Sequence, residues 1–144
     1  MIAVDTNILM YAHRTDSPFH APAAETVKRL AEGSGTWAIP WPCVHELLAI
    51  VTSPRIYRPP TTSTVALDYV DALFQSPTLV LLAETELHWK TLGPLVVAGR
   101  IAGGRVHDAR IAAICLQHGV RELWSADRDF SRFPGLTVVN PLIS

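Results

Sequence analysis

Short apolar runs alternate with longer segments of helical periodicity along the whole of this sequence, and no other feature limits its fold class as strongly. The apolar runs lie at residues 2–4, 37–39, 79–82, 123–125 and 136–139. Between them, apolar residues recur at helical spacing in segments at 17–32, 42–52, 61–75 and 107–118. Alternating strands and helices are typical of an α/β sandwich, and we therefore predict an α/β/α fold around a mostly parallel central sheet.

Capping residues set the predicted starts of the first two helices. Thr6 and Asn7 are expected to cap a short helix, because their side-chain oxygens can accept hydrogen bonds from its first free N–H groups. Ser17 and Pro18 are expected to open the next helix, since proline is tolerated in a first helical turn.

A later helix is predicted after the third apolar run. Glu84 and Glu86 are placed in its first turn, where the helix dipole favours negative charge. Pro94, which follows Gly93, is expected to kink or shorten this helix. Residues 99–104 contain several glycines and are predicted to form a flexible loop.

The predicted core also includes side chains outside the strands. The helix at 61–75 is expected to bury apolar positions that include Val65, Leu67, Val70 and Leu73. The four tryptophans are isolated in sequence and are interpreted as core residues: Trp37, Trp41, Trp89 and Trp124. Cys43 and Cys115 have no metal-binding or redox spacing, so we expect small buried thiols in a reduced, cytoplasmic protein.

Composition bounds the functional class. The chain has 144 residues, enough for one domain over residues 1–144, and 49% of them are hydrophobic, which favours a surface covered by a second copy. The formal net charge of −1 excludes a strong general attraction for nucleic acid, so any RNA contact has to use local arginines. No signal peptide and no apolar run of about 20 residues are found, and we expect no membrane association.

Four of the 13 acidic residues lie where solvated helix faces do not explain them. Asp5 directly follows the first apolar run, and Asp127 follows the fourth run by two residues. Functional groups of open parallel sheets gather beyond the carboxyl ends of the strands. Glu46 and Asp108 lie near the starts of two strongly apolar helices, so their side chains are expected in or beside the interior.

Four carboxylates in one crevice would repel one another unless a cation lay between them. Mg²⁺ or Mn²⁺ prefers such oxygen ligands and leaves positions open for water and phosphate. Taken singly, the acids have structural explanations. Asp5 and Asp108 can cap helices, and Asp127 with Asp129 can form an Asx turn. The metal-site hypothesis rests on all four together.

Four segments resemble the PIN-domain family, most closely the VapC-type toxins of bacterial type II toxin–antitoxin systems. They are residues 4–7 (Val-Asp-Thr-Asn), Glu46 in its proline-initiated helix, residues 106–109 (Val-His-Asp-Ala) and residues 125–130 (Ser-Ala-Asp-Arg-Asp-Phe). The likeness extends over nearly the whole chain, including residues 133–136 and 139–142.

The resemblance implies about five parallel strands, a homodimer, and endonucleolytic cleavage of RNA, with tRNA or ribosomal RNA as usual targets. It also implies inhibition by a cognate antitoxin. By position, Asp5 and Asp108 would bind the principal metal ion. Glu46 and Asp127 would complete the site by holding a second ion or orienting the attacking water.

Weaker site candidates surround these acids. Asn7 and Ser125 are expected to hydrogen-bond to the ligands, and Asp129 is a less favoured ligand than Asp127. Three arginines near the acids are candidates for contacts with RNA phosphates: Arg105, Arg110 and Arg128. The simpler interpretation, and the one that we favour for each, is an ordinary surface arginine.

Rival functions differ in the groups they need. A phosphoaspartate phosphatase or receiver domain requires a second acid next to Asp5 and a lysine at a strand end, whereas Lys28 and Lys90 are predicted within helices. Two alternatives stay open on sequence alone: a catalytically inert PIN-like binding module, and a PIN nuclease for RNA maturation.

Overall fold

The computed structural model describes residues 1–143, and in them five strands alternate with six helices. The strands are β1 (Ile2–Val4), β2 (Trp37–Pro40), β3 (Leu79–Leu82), β4 (Glu122–Trp124) and β5 (Thr137–Val139). The helices are α1 (Thr6–His13), α2 (His20–Glu32), α3 (Trp41–Val51), α4 (Ser63–Phe74), α5 (His88–Ala98) and α6 (Val106–Gln117). Short 3₁₀ helices occupy Gly103–Arg105 and Arg128–Arg132.

The strands form one parallel sheet in the order β3-β2-β1-β4-β5, which confirms the predicted α/β/α class. The central strand β1 pairs with β2 on one side and β4 on the other, so that Ile2 lies opposite both Trp37 and Glu122. The ladder continues past the strand, because Asp5 N donates to Trp124 O at 3.0 Å. All five strands therefore end at the same edge of the sheet.

Residues from the sheet and from α6 form much of the core. Val4, Trp37 and Leu123 are fully buried on the central strands, and Ile111 and Ile114 are buried on α6. Removing a large aliphatic side chain of this kind from water stabilises the fold by about 1.5–3 kcal/mol. Cys43 and Cys115 are also buried and free, as the sequence predicted.

Helix α1 begins one step earlier than predicted. Asp5, not Thr6 or Asn7, occupies its N-cap position with extended backbone angles, and both following residues lie inside the helix. The Asp5 side chain makes no capping hydrogen bond, because its oxygens face Ser125 and Cys43. The side chain at the start of this helix therefore contacts other elements and does not cap the helix.

Helices α2 and α5 begin later than predicted. Ser17 and Pro18 precede α2 in a turn, in which Ser17 Oγ accepts a hydrogen bond from Phe19 N. Glu84 and Glu86 both precede α5, and no acidic residue lies in its first turn. Glu84 pairs instead with Arg110 of α6.

Pro94 lies inside α5, which continues to Ala98, so the expectation of a shortened helix is wrong. The Gly-rich segment that follows is partly ordered as the 3₁₀ helix Gly103–Arg105. This helix leads directly into α6.

Three predicted core residues are solvent-exposed. Val65 and Leu67 are 50% and 52% exposed, because α4 buries the neighbouring face that carries Ala66 and Val70. Trp89 of α5 is 79% exposed. No helix in residues 1–143 is both long and apolar enough to cross a membrane.

Candidate active site

Strand ends position two of the four predicted acids. Asp5 directly follows β1, and Ser125 directly follows β4, with Asp127 two residues further on. Because β1 and β4 are paired in parallel, the two acids emerge from adjacent strands at the same edge. Helices α3 and α6 supply Glu46 and Asp108.

One cavity of about 120 Å³ contains all four predicted carboxylates in its lining. The other lining residues are Thr6, Asn7, Met10, Ile50 and Phe130. Asp5 and Asp127 thus line the same small cavity, although they are 122 positions apart in sequence. We call this space the acid cavity.

Asp5 is almost completely buried and is held by two donors. Ser125 Oγ donates to Asp5 Oδ2 at 2.7 Å, and Cys43 Sγ donates to Asp5 Oδ1 at 3.6 Å. Burial raises the pKa of Asp5 from 3.8 to about 6, and the nearby Glu46 adds to the rise, while the hydrogen bond from Ser125 opposes it. A buried carboxylate with few donors is a group that a cation would stabilise strongly.

Ser125 connects the acids at the two strand ends. Its hydroxyl oxygen accepts hydrogen bonds from Asn7 Nδ2 at 3.3 Å and from Asp127 N at 3.0 Å. Asn7 Oδ1 in turn accepts from Ala126 N at 3.1 Å. The structure therefore brings Asn7 and Ser125 beside the carboxylates that they were predicted to support.

Glu46 and Asp108 are about half-buried and electrostatically linked. Burial raises the pKa of Glu46, and the Asp108 carboxylate raises it further. Burial also raises the pKa of Asp108, with an added contribution from Asp127 and an opposing one from Arg105. Thr6 Oγ1 donates to Glu46 Oε2 at 3.4 Å, so one Glu46 oxygen has a protein partner.

Arg105 lies at the rim of the acid cavity and pairs with two acids. Its Nη1 is 3.5 Å from Asp108 Oδ2 and forms a short ion pair with Asp129. Asp129 N donates to Asp127 Oδ1 at 2.9 Å, so the Asx turn predicted as an alternative is present. Asp127 therefore both accepts the hydrogen bond of this turn and lines the acid cavity.

The donor set of the cavity fits a hard divalent cation, because four carboxylates and no basic residue line it. Their present spacing is looser than that of a metal site. Among the described residues, no three His, Cys, Asp or Glu side chains stand close enough together to enclose one ion.

A second cavity of about 340 Å³ adjoins the first and shares Glu46 and Asp108 with it. It is lined further by His45, His107 and Arg110, together with Pro42 and Gly104. We call it the histidine pocket. The predicted phosphate contact Arg110 therefore lies beside the acids, although its Nε is paired with Glu84.

A third cavity, of about 430 Å³, lies on the other side of Asp127 and Ser125. Arg128, Ser131 and Asn140 contribute polar groups to its lining. The three arginines predicted to contact phosphate are thus distributed around the acids, with Arg105 at the rim and Arg110 and Arg128 in the flanking cavities.

Several residues of the site were not predicted from the sequence. Cys43 was interpreted only as a core thiol, but it lies one turn before Glu46 on the same helix and contacts Asp5. Thr6 was interpreted as a cap and instead donates to Glu46. The three-residue spacing of Cys43 and Glu46 is the one signal that could have indicated the first contact.

Comparison with known proteins finds similar sequences and folds over almost the whole chain. The family model described as PIN domain matches residues 2–136. Ribonuclease VapC43 of Mycobacterium tuberculosis is 34% identical over 142 residues, covering 99% of this chain and 96% of that protein. Ribonuclease VapC48 of the same species is 29% identical over 137 residues, covering 95% and 94%.

Solved structures share the fold at lower identity. VapBC2 of Rickettsia felis, bound to a DNA fragment from its promoter, matches with a TM-score of 0.72 and 21% identity, covering 97% of this chain and 98% of that one. The sarcin–ricin loop-cleaving toxin VapC20 of Mycobacterium tuberculosis matches with a TM-score of 0.66 and 18% identity, covering 91% and 93%.

Proposed function

Because this chain belongs to the PIN-domain family, we propose that it is an endoribonuclease and the toxin of a type II toxin–antitoxin system. The observation that carries the proposal is the acid cavity, in which Asp5, Glu46, Asp108 and Asp127 meet at the carboxyl edge of the sheet. Relatives named as VapC ribonucleases match almost the full length of the chain. An inert binding module would not need Asp5, Glu46 and Asp108 together, because burial and neighbouring carboxylates disfavour the charged form of each.

We propose Mg²⁺ or Mn²⁺ as the cofactor, with Asp5 and Asp108 as principal ligands and Glu46 and Asp127 completing the site. Bound there, the ion would lower the pKa of a water molecule and offset the charge that develops on the phosphate. The protein holds Asp5 ready for this role, since Ser125 and Cys43 fix both of its oxygens.

The reaction is hydrolysis of a phosphodiester bond in RNA. A water oxygen forms a bond to phosphorus, the bond from phosphorus to the leaving ribose oxygen breaks, and that oxygen takes up a proton. Glu46 is the carboxylate that we assign to orienting the water, because it lines both the acid cavity and the histidine pocket and, unlike Asp108, is not a principal metal ligand in this proposal. Arg105 has the position to bind a phosphate oxygen at the rim.

The proposed partners are a cognate antitoxin, the RNA substrate and a second copy of the chain. Structural relatives include toxin–antitoxin complexes such as the VapBC assembly of Salmonella typhimurium bound to DNA. A homodimer is supported by the apolar composition and by Trp89 and Val97, which are each 79% exposed on α5. We place the protein in the cytoplasm, where its two free thiols would stay reduced.

The decisive experiment is cleavage of a total tRNA and rRNA mixture by antitoxin-free protein in the presence of Mn²⁺. The parent is compared with Asp5→Asn, and Asp68→Asn serves as a matched control because Asp68 is exposed on α4. Cleavage that requires metal, survives in the control and vanishes in Asp5→Asn supports the proposal. Intact RNA with all three proteins, together with no Mn²⁺ binding by calorimetry, would overturn it in favour of the inert module.

A further inference from the structure

The histidine pocket has the properties of a nucleotide-binding subsite. Its volume of about 340 Å³ lies at the lower end of the range of about 300–1,000 Å³ that small-molecule sites occupy. Its wall includes the imidazoles of His45 and His107, the guanidinium of Arg110 and the backbone of Gly104. Rings and a cation are the groups that bind unpaired nucleotides.

His45 is exposed, but its ring is held in place. Trp41, one turn earlier on α3, stacks on it with ring centroids 6.2 Å apart and an angle of 29° between the rings. Phe74 of α4 packs edge-on against Trp41 at 5.9 Å, which supports the stack from behind. A supported flat ring at the wall of an open pocket is a surface on which a base can stack.

Arg110 supplies the positive charge of the pocket. Its Nε is paired with Glu84, while the terminal N–H groups of its guanidinium donate to no residue within the described chain. Glu84 thus orients the guanidinium and leaves its fork of donors available to a phosphate oxygen.

The position of the pocket connects it to the chemistry. Glu46 and Asp108 belong to both cavities, so a nucleotide in the histidine pocket is covalently next to any phosphate held at the acids. Gly104 borders the pocket with open space around it, because an added Cβ would meet no atom within 4 Å. Because Gly104 lines the pocket, a larger side chain can be added at its wall without a clash with the rest of the protein.

We propose that the histidine pocket binds the unpaired nucleotide adjacent to the scissile phosphate, with its base stacked on His45 and a phosphate oxygen bound by Arg110. This inference rests on the proposed ribonuclease function and adds to it a single-stranded substrate and a base preference next to the cut. Bases in a continuous duplex cannot reach such a pocket without leaving the stack.

The test combines binding and cleavage. Titrations of AMP, GMP, CMP and UMP in the presence of Mg²⁺, followed by NMR or calorimetry, measure the pocket without requiring any cleavage. His45→Ala is expected to weaken binding of the preferred mononucleotide about tenfold, whereas His45→Phe, which keeps a flat ring, retains it. In RNA cleavage, His45→Ala raises KM and relaxes the base preference beside the cut, with a smaller effect on kcat.

Gly104→Val provides a steric test that removes no charge or ring. It is expected to block mononucleotide binding and to leave Mn²⁺ binding and unfolding unchanged. Gly35→Val is the matched control, because Gly35 is also surrounded by open space and precedes β2 at the opposite edge of the sheet. If the parent cleaves RNA and both pocket variants bind mononucleotides and cleave as the parent does, the subsite is wrong and the ribonuclease proposal stands. If no protein cleaves RNA but the parent binds a mononucleotide through His45, the ribonuclease proposal fails, and with it the position next to a scissile phosphate, while the pocket stands as a mononucleotide-binding site.

Discussion

Ser125 Oγ lies 2.7 Å from Asp5 Oδ2 and donates to it across 120 positions of sequence, while accepting from Asn7 and from Asp127 N. All hydrogen-bonding capacity of this one hydroxyl is used at the active site.

Ser125→Ala is therefore expected to damage both activity and stability. The change removes the strongest donor to Asp5 and leaves Asn7 Nδ2 and Asp127 N without their acceptor. We expect activity and metal affinity to fall about 10- to 100-fold and the free energy of unfolding to fall by about 1–3 kcal/mol. RNA cleavage, calorimetry with Mn²⁺ and urea unfolding measure the three effects. Ser34→Ala in the exposed loop after α2 should change none of them.

The raised pKa of Asp5 gives the metal-free protein a defined pH dependence. Between about pH 4 and pH 6 the folded protein keeps a proton on Asp5 that the unfolded chain has released, so stability falls as the pH rises and levels off above about pH 6. The rise in pKa from 3.8 to about 6 corresponds to about 3 kcal/mol.

The asparagine side chain in Asp5→Asn cannot ionise, so this variant should not lose stability in the same way as the pH rises. Urea unfolding of both metal-free proteins from pH 4 to pH 8 measures the difference. We expect the variant to gain stability relative to the parent as the pH rises through this window. A difference that stays constant across it would mean that Asp5 titrates normally.

Arg105 is expected to affect metal and RNA binding in opposite directions. Its guanidinium neutralises part of the charge of Asp108 and Asp129, so Arg105→Gln should tighten Mn²⁺ binding about two- to fivefold. The same change removes a phosphate contact and should raise KM for RNA. Arg121→Gln, at the amino end of β4, is the control and should alter neither value. Weaker metal binding in Arg105→Gln would refute the assignment of Arg105 as a competing cation.

A substitution at Gly119 is expected to change the stability of the fold without changing the candidate active site. It follows α6 with a φ of +67°, and an added Cβ would meet no atom within 4 Å, so Gly119→Ala adds conformational strain alone. We expect a loss of about 1 kcal/mol in urea unfolding and unchanged RNA cleavage. Gly35→Ala has equal space and no positive φ, and should leave stability equal or slightly higher. Similar losses in both variants would contradict this explanation.

The sequence predicted those features that local pattern controls. Apolar runs located all five strands, and the position of Asp5 and Asp127 after two of them indicated a shared edge of the sheet. Glu46 and Asp108 could be placed because the apolar helices that carry them leave few positions for an unpaired acid.

What the sequence did not predict depends on contacts between distant elements. Glu84 lies before α5 and pairs with Arg110 on another helix, and no local signal contains that partner. Trp89 was expected in the core but is exposed. Hydrophobicity alone does not tell which face of a helix is covered. The bond from Cys43 to Asp5 likewise exists only once α3 has packed beside β1.

The central position of β1 has a consequence for the synthesis of the protein. This strand is synthesised well before its neighbour β4 at Glu122–Trp124, and Ser125 and Asp127 follow later still. A nascent chain that stops short of these residues has Asp5 without its strand partner or its donor. The site that we propose around Asp5 can therefore form only after β4, Ser125 and Asp127 have been synthesised and have packed against β1.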